Sequence, residues 1–233
     1  MNIPYTLRYC IAIMASIFVL GQLHEMAHLF VVQLVCGCAG RQIDLNLWTT
    51  GAQCNNSQYT YLATLAGPVF SYAMIWTGHL IFRKNDARYW PFAFVLVMGN
   101  LVFARLFTAA IGGGDEITVL KALLLPHIGP WGCRILGFAI VASLTLPPIL
   151  MLYKRMTNDR KVWVLLAFCI LPMPIMYLYE FKLLGMVLHS GWLSTRRWLG
   201  VPDLVYLHTL AMAVLALVLN PARLRPAAQL GIA

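Results

Sequence analysis

Apolar residues run through this chain in long blocks joined by short polar links, instead of alternating on the scale of a soluble helix or strand. Windows long enough to cross about 30 Å of hydrocarbon fall at residues 7–36, 59–82, 90–111, 132–153, 162–181 and 203–220. The pattern predicts an all-α fold, a polytopic bundle of about six transmembrane helices that forms one integral membrane domain over residues 1–233. Pro147 and Pro148, and Pro172 and Pro174, lack backbone donors and are expected to kink the fourth and fifth spans. Between the first two spans, Gln42-Ile43-Asp44-Leu45-Asn46-Leu47 alternates polar with apolar, and Thr50-Gly51 offers a turn before Gln53 to Tyr61. A short β-hairpin at the membrane edge near residues 42–61 follows, set against the plainer reading of a connecting loop. Its free edge would hold an extended peptide by main-chain pairing.

Composition agrees with a lipid solvent. The chain is 61% hydrophobic and 11% charged, with a mean hydropathy of +0.74, whereas soluble proteins carry about a quarter charged residues. The net charge of +9 does not point to nucleic acid, because the basic residues sit in the short links. With both termini cytoplasmic, the inner side carries ten Lys or Arg and the outer side six, so charge bias favours that orientation. The opening run has Arg8 ahead of Tyr9 to Leu23, as a secretion signal would, but it continues through His28 to Cys36 and is read as a retained span. Cys36, Cys38 and Cys54 flank one loop, and a bridge from Cys54 to Cys36 or Cys38 would need an oxidising compartment. Asn55-Asn56-Ser57 matches a glycosylation sequon, a weak and common signal.

Chemistry concentrates inside the first span, at His24-Glu25-Met26-Ala27-His28. Positions four apart share a helix face, about 6 Å apart along the axis, so both imidazoles can grip one metal ion. Glu25 then lies beside it as a candidate general base. With three Glu and six His in 233 residues, chance is a poor account of this spacing, and ionisable groups within hydrocarbon mark functional sites. Paired core histidines are the bland alternative.

A catalytic zinc takes three protein ligands and leaves a position for water, so a third must come from elsewhere. Gly112-Gly113-Gly114-Asp115-Glu116 closes the third span on the side toward which the motif lies. Asp115 is the candidate ligand, with Glu116 as the fallback. Asp115 would equally serve as an N-cap for Ile117 to Leu125. Arg105 and Asn100 are polar residues within the third span; Arg105 would pair with a carboxylate or stabilise an oxyanion, and Asn100 would bond a substrate strand or another helix. Glu180 and Lys182 read as interfacial charges, and His79, His127, His189 and His208 as structural or surface residues.

These residues resemble the site-2 protease family of intramembrane zinc metalloproteases (peptidase family M50). The resemblance rests on the histidine motif in the first span, on Ala66-Gly67-Pro68 in the next, similar to that family's Ala-Gly-Pro signature, and on an Asp-bearing segment after the third. It covers roughly residues 15–125, making about 7–125 a protease-like core and about 132–220 additional helices. Ala27 stands where the family often has Gly, and Gly-Gly-Gly-Asp-Glu replaces the family's Leu-Asp-Gly. The resemblance implies hydrolysis of a peptide bond in or near a substrate's transmembrane segment, with one Zn2+ held by His24, His28 and Asp115, and Glu25 as base. Gly67, Pro68 and Asn100 would hold the unwound substrate strand. The partners implied are a membrane-protein or peptide substrate and the bilayer. Two other readings use the same residues: a zinc-binding membrane protein that holds a partner helix without cutting it, and a small transporter with histidines along an ion path.

Overall fold

The computed structural model describes residues 1–51 and 59–219. Helix α1 (Leu7–Cys36) opens on Thr6, whose hydroxyl accepts from the Tyr9 amide, and closes on Gly37 in the left-handed region at φ 66°. It is followed by β1 (Arg41–Asp44), β2 (Leu47–Thr49) and α2 (Thr60–Arg83). A short turn at Ala87–Tyr89 leads into α3 (Trp90–Met98) and α4 (Val102–Ala110). Then come α5 (Asp115–Arg155), α6 (Lys161–Ile170), α7 (Pro172–Met176), a π-helical stretch Tyr177–Leu184, α8 (Gly185–His189) and α9 (Asp203–Leu219).

Five helical segments are long and apolar enough to cross a membrane: Leu7–Cys36, Thr60–Arg83, Ala87–Ala110, Asp115–Arg155 and Lys161–His189. The sixth predicted span is represented by α9, whose 17 described residues fall short of that length. Apolar side chains coat the outside, Leu34, Trp131, Leu178 and Leu217 among them, while Gln22, Glu25, His28, Asn100 and Glu180 are buried. That distribution inverts the soluble pattern and suits hydrocarbon surroundings.

The main core is laid down where α1 meets its neighbours. Tyr9, Ile13 and Ile17 pack with Ile75 and Phe82 of α2, Phe94 and Val97 of α3, and Cys169 of α6. Tyr9, Phe94 and Phe168 form a mutual aromatic cluster with centroids 5.3–6.1 Å apart. At one end of the bundle the Met1 ammonium donates to the Arg155 carbonyl, and Arg155 reaches Asn85. Residues 1, 85 and 155 therefore share an end, and Cys36 lies at the other.

The third span is broken in its middle. Gly99 and Asn100 interrupt the helix, and Leu101 takes φ 50°, an αL conformation that a leucine rarely adopts. The break frees the Asn100 carbonyl, which accepts from Arg105 Nε at 3.3 Å.

Among the described residues, the one break in α5's helical torsions falls outside the predicted fourth span. Within α5 the non-helical residue is Gly129 (φ 68°, ψ 176°), beside Pro130, and not Pro147 or Pro148. The part before Gly129 turns back on the part after it, with Cys133 donating to the Leu120 carbonyl and Gly137 against Ile117. Pro147 and Pro148 pass within a helical run; Leu144, whose carbonyl Pro148 cannot bond, is capped instead by the Trp76 indole at 3.0 Å. In the fifth span Pro172 does mark a change, from α6 to α7 and then to the π-helical stretch.

The hairpin is tighter than the alternation suggested. Residues 42–47 do not form one strand; β1 and β2 pair antiparallel with Gln42 opposite Trp48, and the chain reverses at Leu45-Asn46. Asp44 Oδ1 accepts from the Leu45 amide, a local side-chain bond that initiates turns. Leu45, 4% exposed, plugs into Leu29, Leu199, Val201 and Val205. Gln42 and Gln22 exchange two amide bonds of 2.8 and 3.0 Å, fixing the hairpin to α1. The proposed second strand from Gln53, Cys54 and the Asn55 sequon lie outside the described residues. Cys36 is disulfide-bonded, and Cys38 carries a free thiol.

Glu180, read from sequence as an interfacial charge, is buried against the hairpin. It is 4% exposed and accepts from Asn46 Nδ2 at 2.8 Å, tying the hairpin turn to the π-helical stretch.

Candidate metal centre

About two and three turns before its end, α1 presents His28 and His24 on one face, with ring centroids 4.7 Å apart and Nε2 atoms 3.1 Å apart. Into the same space comes Asp115 from the start of α5. Its Oδ2 lies 3.3 Å from His24 Nε2 and 3.5 Å from His28 Nε2. Metal–ligand bonds of about 2.0–2.1 Å in tetrahedral array put neighbouring ligand atoms roughly 3.3–3.4 Å apart. The three observed edges bracket that value.

The turn that delivers Asp115 needs glycine. Gly112 and Gly114 take φ 84° and 92°, which a side chain disfavours. Gly114 is the cap residue, the helix begins at Asp115, and no side-chain cap bond is made there. The capping alternative for Asp115 is therefore not what its carboxylate does; it faces the imidazoles.

The other ring nitrogens are held from α2. His28 Nδ1 lies 2.8 Å from the Ala63 carbonyl, an arrangement in which Nδ1 carries the proton and Nε2 keeps its lone pair for a metal. His24 Nδ1 lies 3.0 Å from Ser71 Oγ. Between them Gly67 brings the α2 backbone so close that a Cβ there would run into both Nε2 atoms. Ala63, Gly67 and Ser71 form a stripe of small residues four apart, so main chain replaces side chain beneath the rings. Over His28, Trp48 of β2 stacks at 4.8 Å with an interplanar angle of 19°.

Glu25 is 6% exposed, and its Oε2 has no hydrogen-bond partner among the described residues. Ligand atoms of His24, Glu25 and His28 all lie within 4.8 Å of one another. A buried carboxylate oxygen without a partner is costly, and a water or cation between it and the imidazoles would offset that cost. The donor set and geometry fit one zinc ion: two neutral imidazoles, one carboxylate, and space that a single Cβ would fill.

Outside this set lies a buried polar strut. Arg105 Nη2 donates to Ser71 Oγ at 2.7 Å and lies 3.0 Å from His24 Nδ1, and its Nη1 pairs with Glu116 Oε1 at 3.3 Å. Tyr72 donates to the same Glu116 oxygen at 2.7 Å. Ser71 Oγ has two lone pairs, enough for His24 Nδ1–H and Arg105 together.

Of the residues singled out from sequence, His24, Glu25, His28, Asp115 and Gly67 converge. Glu116, the fallback ligand, turns instead to Tyr72 and Arg105. Pro68 follows Gly67 within α2, and Asn100 sends its Nδ2 back to Leu96 O at 2.7 Å, leaving its Oδ1 buried without a partner. Ala63, Ser71, Tyr72 and Trp48 were not foreseen; the spacing of Ala63, Gly67 and Ser71 was the available signal. Comparisons of the chain with models of protein families, with curated proteins and with solved structures find no match.

Proposed function

We propose that the chain is a zinc-dependent intramembrane endopeptidase that hydrolyses a peptide bond in or near a transmembrane segment of a membrane-protein substrate. The observation that carries this reading is the triangle of His24 Nε2, His28 Nε2 and Asp115 Oδ2 at 3.1–3.5 Å, with the unpartnered Glu25 carboxylate beside it. Bound there, zinc supplies a water of lowered pKa and polarises the scissile carbonyl. Glu25 takes a proton from water as its oxygen bonds to the carbonyl carbon, and returns a proton to the nitrogen as the C–N bond breaks. Ala63 and Ser71 hold the two rings in the tautomer this requires, and Arg105 offsets carboxylate charge in a low-dielectric setting.

A substrate helix must unwind before its carbonyl is accessible. The edge of β2 away from β1 is suited to hold the unwound strand by main-chain pairing, and Trp48 sets that strand one side chain away from His28. Of the three residues expected to hold that strand, Gly67 lies against the imidazoles, whereas Pro68 and Asn100 are buried and are assigned no part in it. With the basic residues Arg8, Arg83, Lys84, Arg88, Lys154, Arg155, Arg160 and Lys161 gathered toward the Met1 end, that end and both termini are cytoplasmic. The centre then lies toward the opposite face.

The test is purified full-length protein in mild detergent, assayed for bound zinc and for cleavage of a panel of transmembrane peptides with helix-breaking residues. Glu25→Gln is expected to keep one zinc per chain and to lower cleavage by at least the 10²–10⁴-fold typical of a lost general base. His24→Ala and His28→Ala are expected to lose both zinc and cleavage. Zinc with no Glu25-dependent cleavage would replace this reading with the non-proteolytic zinc protein.

A further inference from the structure

At the Met1 end, far from the metal ligands, α1 and the α6–α7 segment part to leave a cleft of about 680 Å³. That volume lies in the range of small-molecule sites. Its walls are apolar, with Ile13 and Met14 of α1 facing Val164, Phe168 and Leu171. Its mouth is polar, formed by Asn2, Thr157, Asp159 and Arg160. From Arg160 to Ile175 the lining spans fifteen helical steps, roughly 22 Å, which exceeds the ~15 Å depth of one leaflet. Tyr5 and Trp163, 77% and 71% exposed, flank the mouth as aromatic residues do at headgroup level.

The charge at the mouth selects among amphiphiles. Asp86 is engaged by Arg88 through Nη2 at 2.7 Å, Arg155 by Asn85, and Lys161 by the face of the Tyr153 ring. Asp159 and Arg160 are both exposed at the mouth and make no side-chain hydrogen bond or ion pair among the described residues, so the local excess of positive charge comes from the eight basic residues that face only Asp86 and Asp159 at this end. Arg160 stands at the end of the chain where basic residues outnumber acids. A long apolar slot leading to an uncommitted guanidinium matches an acyl chain joined to a phosphate.

We infer that this cleft binds one anionic phospholipid, an acyl chain lying between α1 and α6–α7 and the headgroup phosphate at Arg160. The inference rests on the membrane-embedded reading and is independent of catalysis. The experiment is native mass spectrometry of the delipidated full chain, titrated with phosphatidylglycerol or phosphatidylcholine of matched chains, with bound zinc and helicity recorded for every variant. The unaltered protein should retain one phosphatidylglycerol per chain, about fivefold more tightly than phosphatidylcholine, the worth of one basic residue near a headgroup. Arg160→Gln, a change at an exposed side chain, should erase that preference. Ala167→Trp should fill the slot and abolish retention of both lipids. Equal retention of the two lipids by the unaltered protein, undiminished retention in Ala167→Trp, or a dimer in place of a lipid adduct would each overturn the inference. Loss of zinc without loss of lipid would bear on the metal centre alone.

Discussion

Asp115 Oδ2 and His24 Nε2 meet at 3.3 Å although 91 residues separate them in the chain. The contact exists because α5 starts on Asp115, so the carboxylate leaves the first turn of a helix, where its charge is favoured by the dipole. Asp115→Ala is therefore expected to reduce zinc from one per chain to a small fraction, whereas Glu116→Ala retains most of it. Elemental analysis after gel filtration reads both. Full zinc in the Asp115 variant would move the third ligand elsewhere.

In the proposed centre, Ser71 would act on the metal through His24. Its hydroxyl is the neutral acceptor beside His24 Nδ1, and loss of such outer partners typically lowers metal affinity 10–100-fold. Ser71→Ala should show that drop in a chelator competition, and Ser71→Thr should recover much of it. An unchanged affinity in the alanine variant would mean that the Ser71 hydroxyl does not hold the His24 ring.

Gly67 is set by space, not by backbone torsion, since it lies within regular α2. Gly67→Ala would drive a methyl group between the two imidazoles. The variant should fold with unchanged helicity by circular dichroism and bind no zinc. Stoichiometric zinc in that variant would contradict the close approach of α2.

Arg105 and Glu116 are both largely buried, at 16% and 11% side-chain exposure. Removing one member of such a pair typically costs about 3–5 kcal/mol, because the other charge is left without compensation. Arg105→Met should destabilise the protein by an amount of that order, and Arg105→Met with Glu116→Gln should recover a large part. Denaturation in a fixed detergent, read as a double-mutant cycle, measures the coupling. Additive losses would show that the strut is not a unit.

Local spacing made part of this centre legible. His24, Glu25 and His28 are neighbours on one helix, so a four-residue interval suffices to bring them together, and Gly112 to Gly114 announced a special turn just before Asp115. The long apolar runs likewise marked the five span-length segments. What escaped notice depends on distant partners. Glu180 looks interfacial until Asn46, 134 residues away, supplies its donor. Pro148 leaves the Leu144 carbonyl without its helical donor, and it is Trp76 of another helix that supplies one. The alternation at 42–47 reads as one strand because Leu45 is apolar, yet Leu45 is the buried tip of a reversal whose cues were Asp44 and Asn46.

Trp48 also fixes the direction of approach. Peptide backbone walls the imidazoles on the α2 side at Gly67, and the indole lies across His28, so a compound reaching a metal held there from the hairpin side would slide along the indole. Selectivity among chelating compounds would then be decided by how their tails lie along the nine-residue hairpin 41–49, more than by the strength of their metal-binding heads.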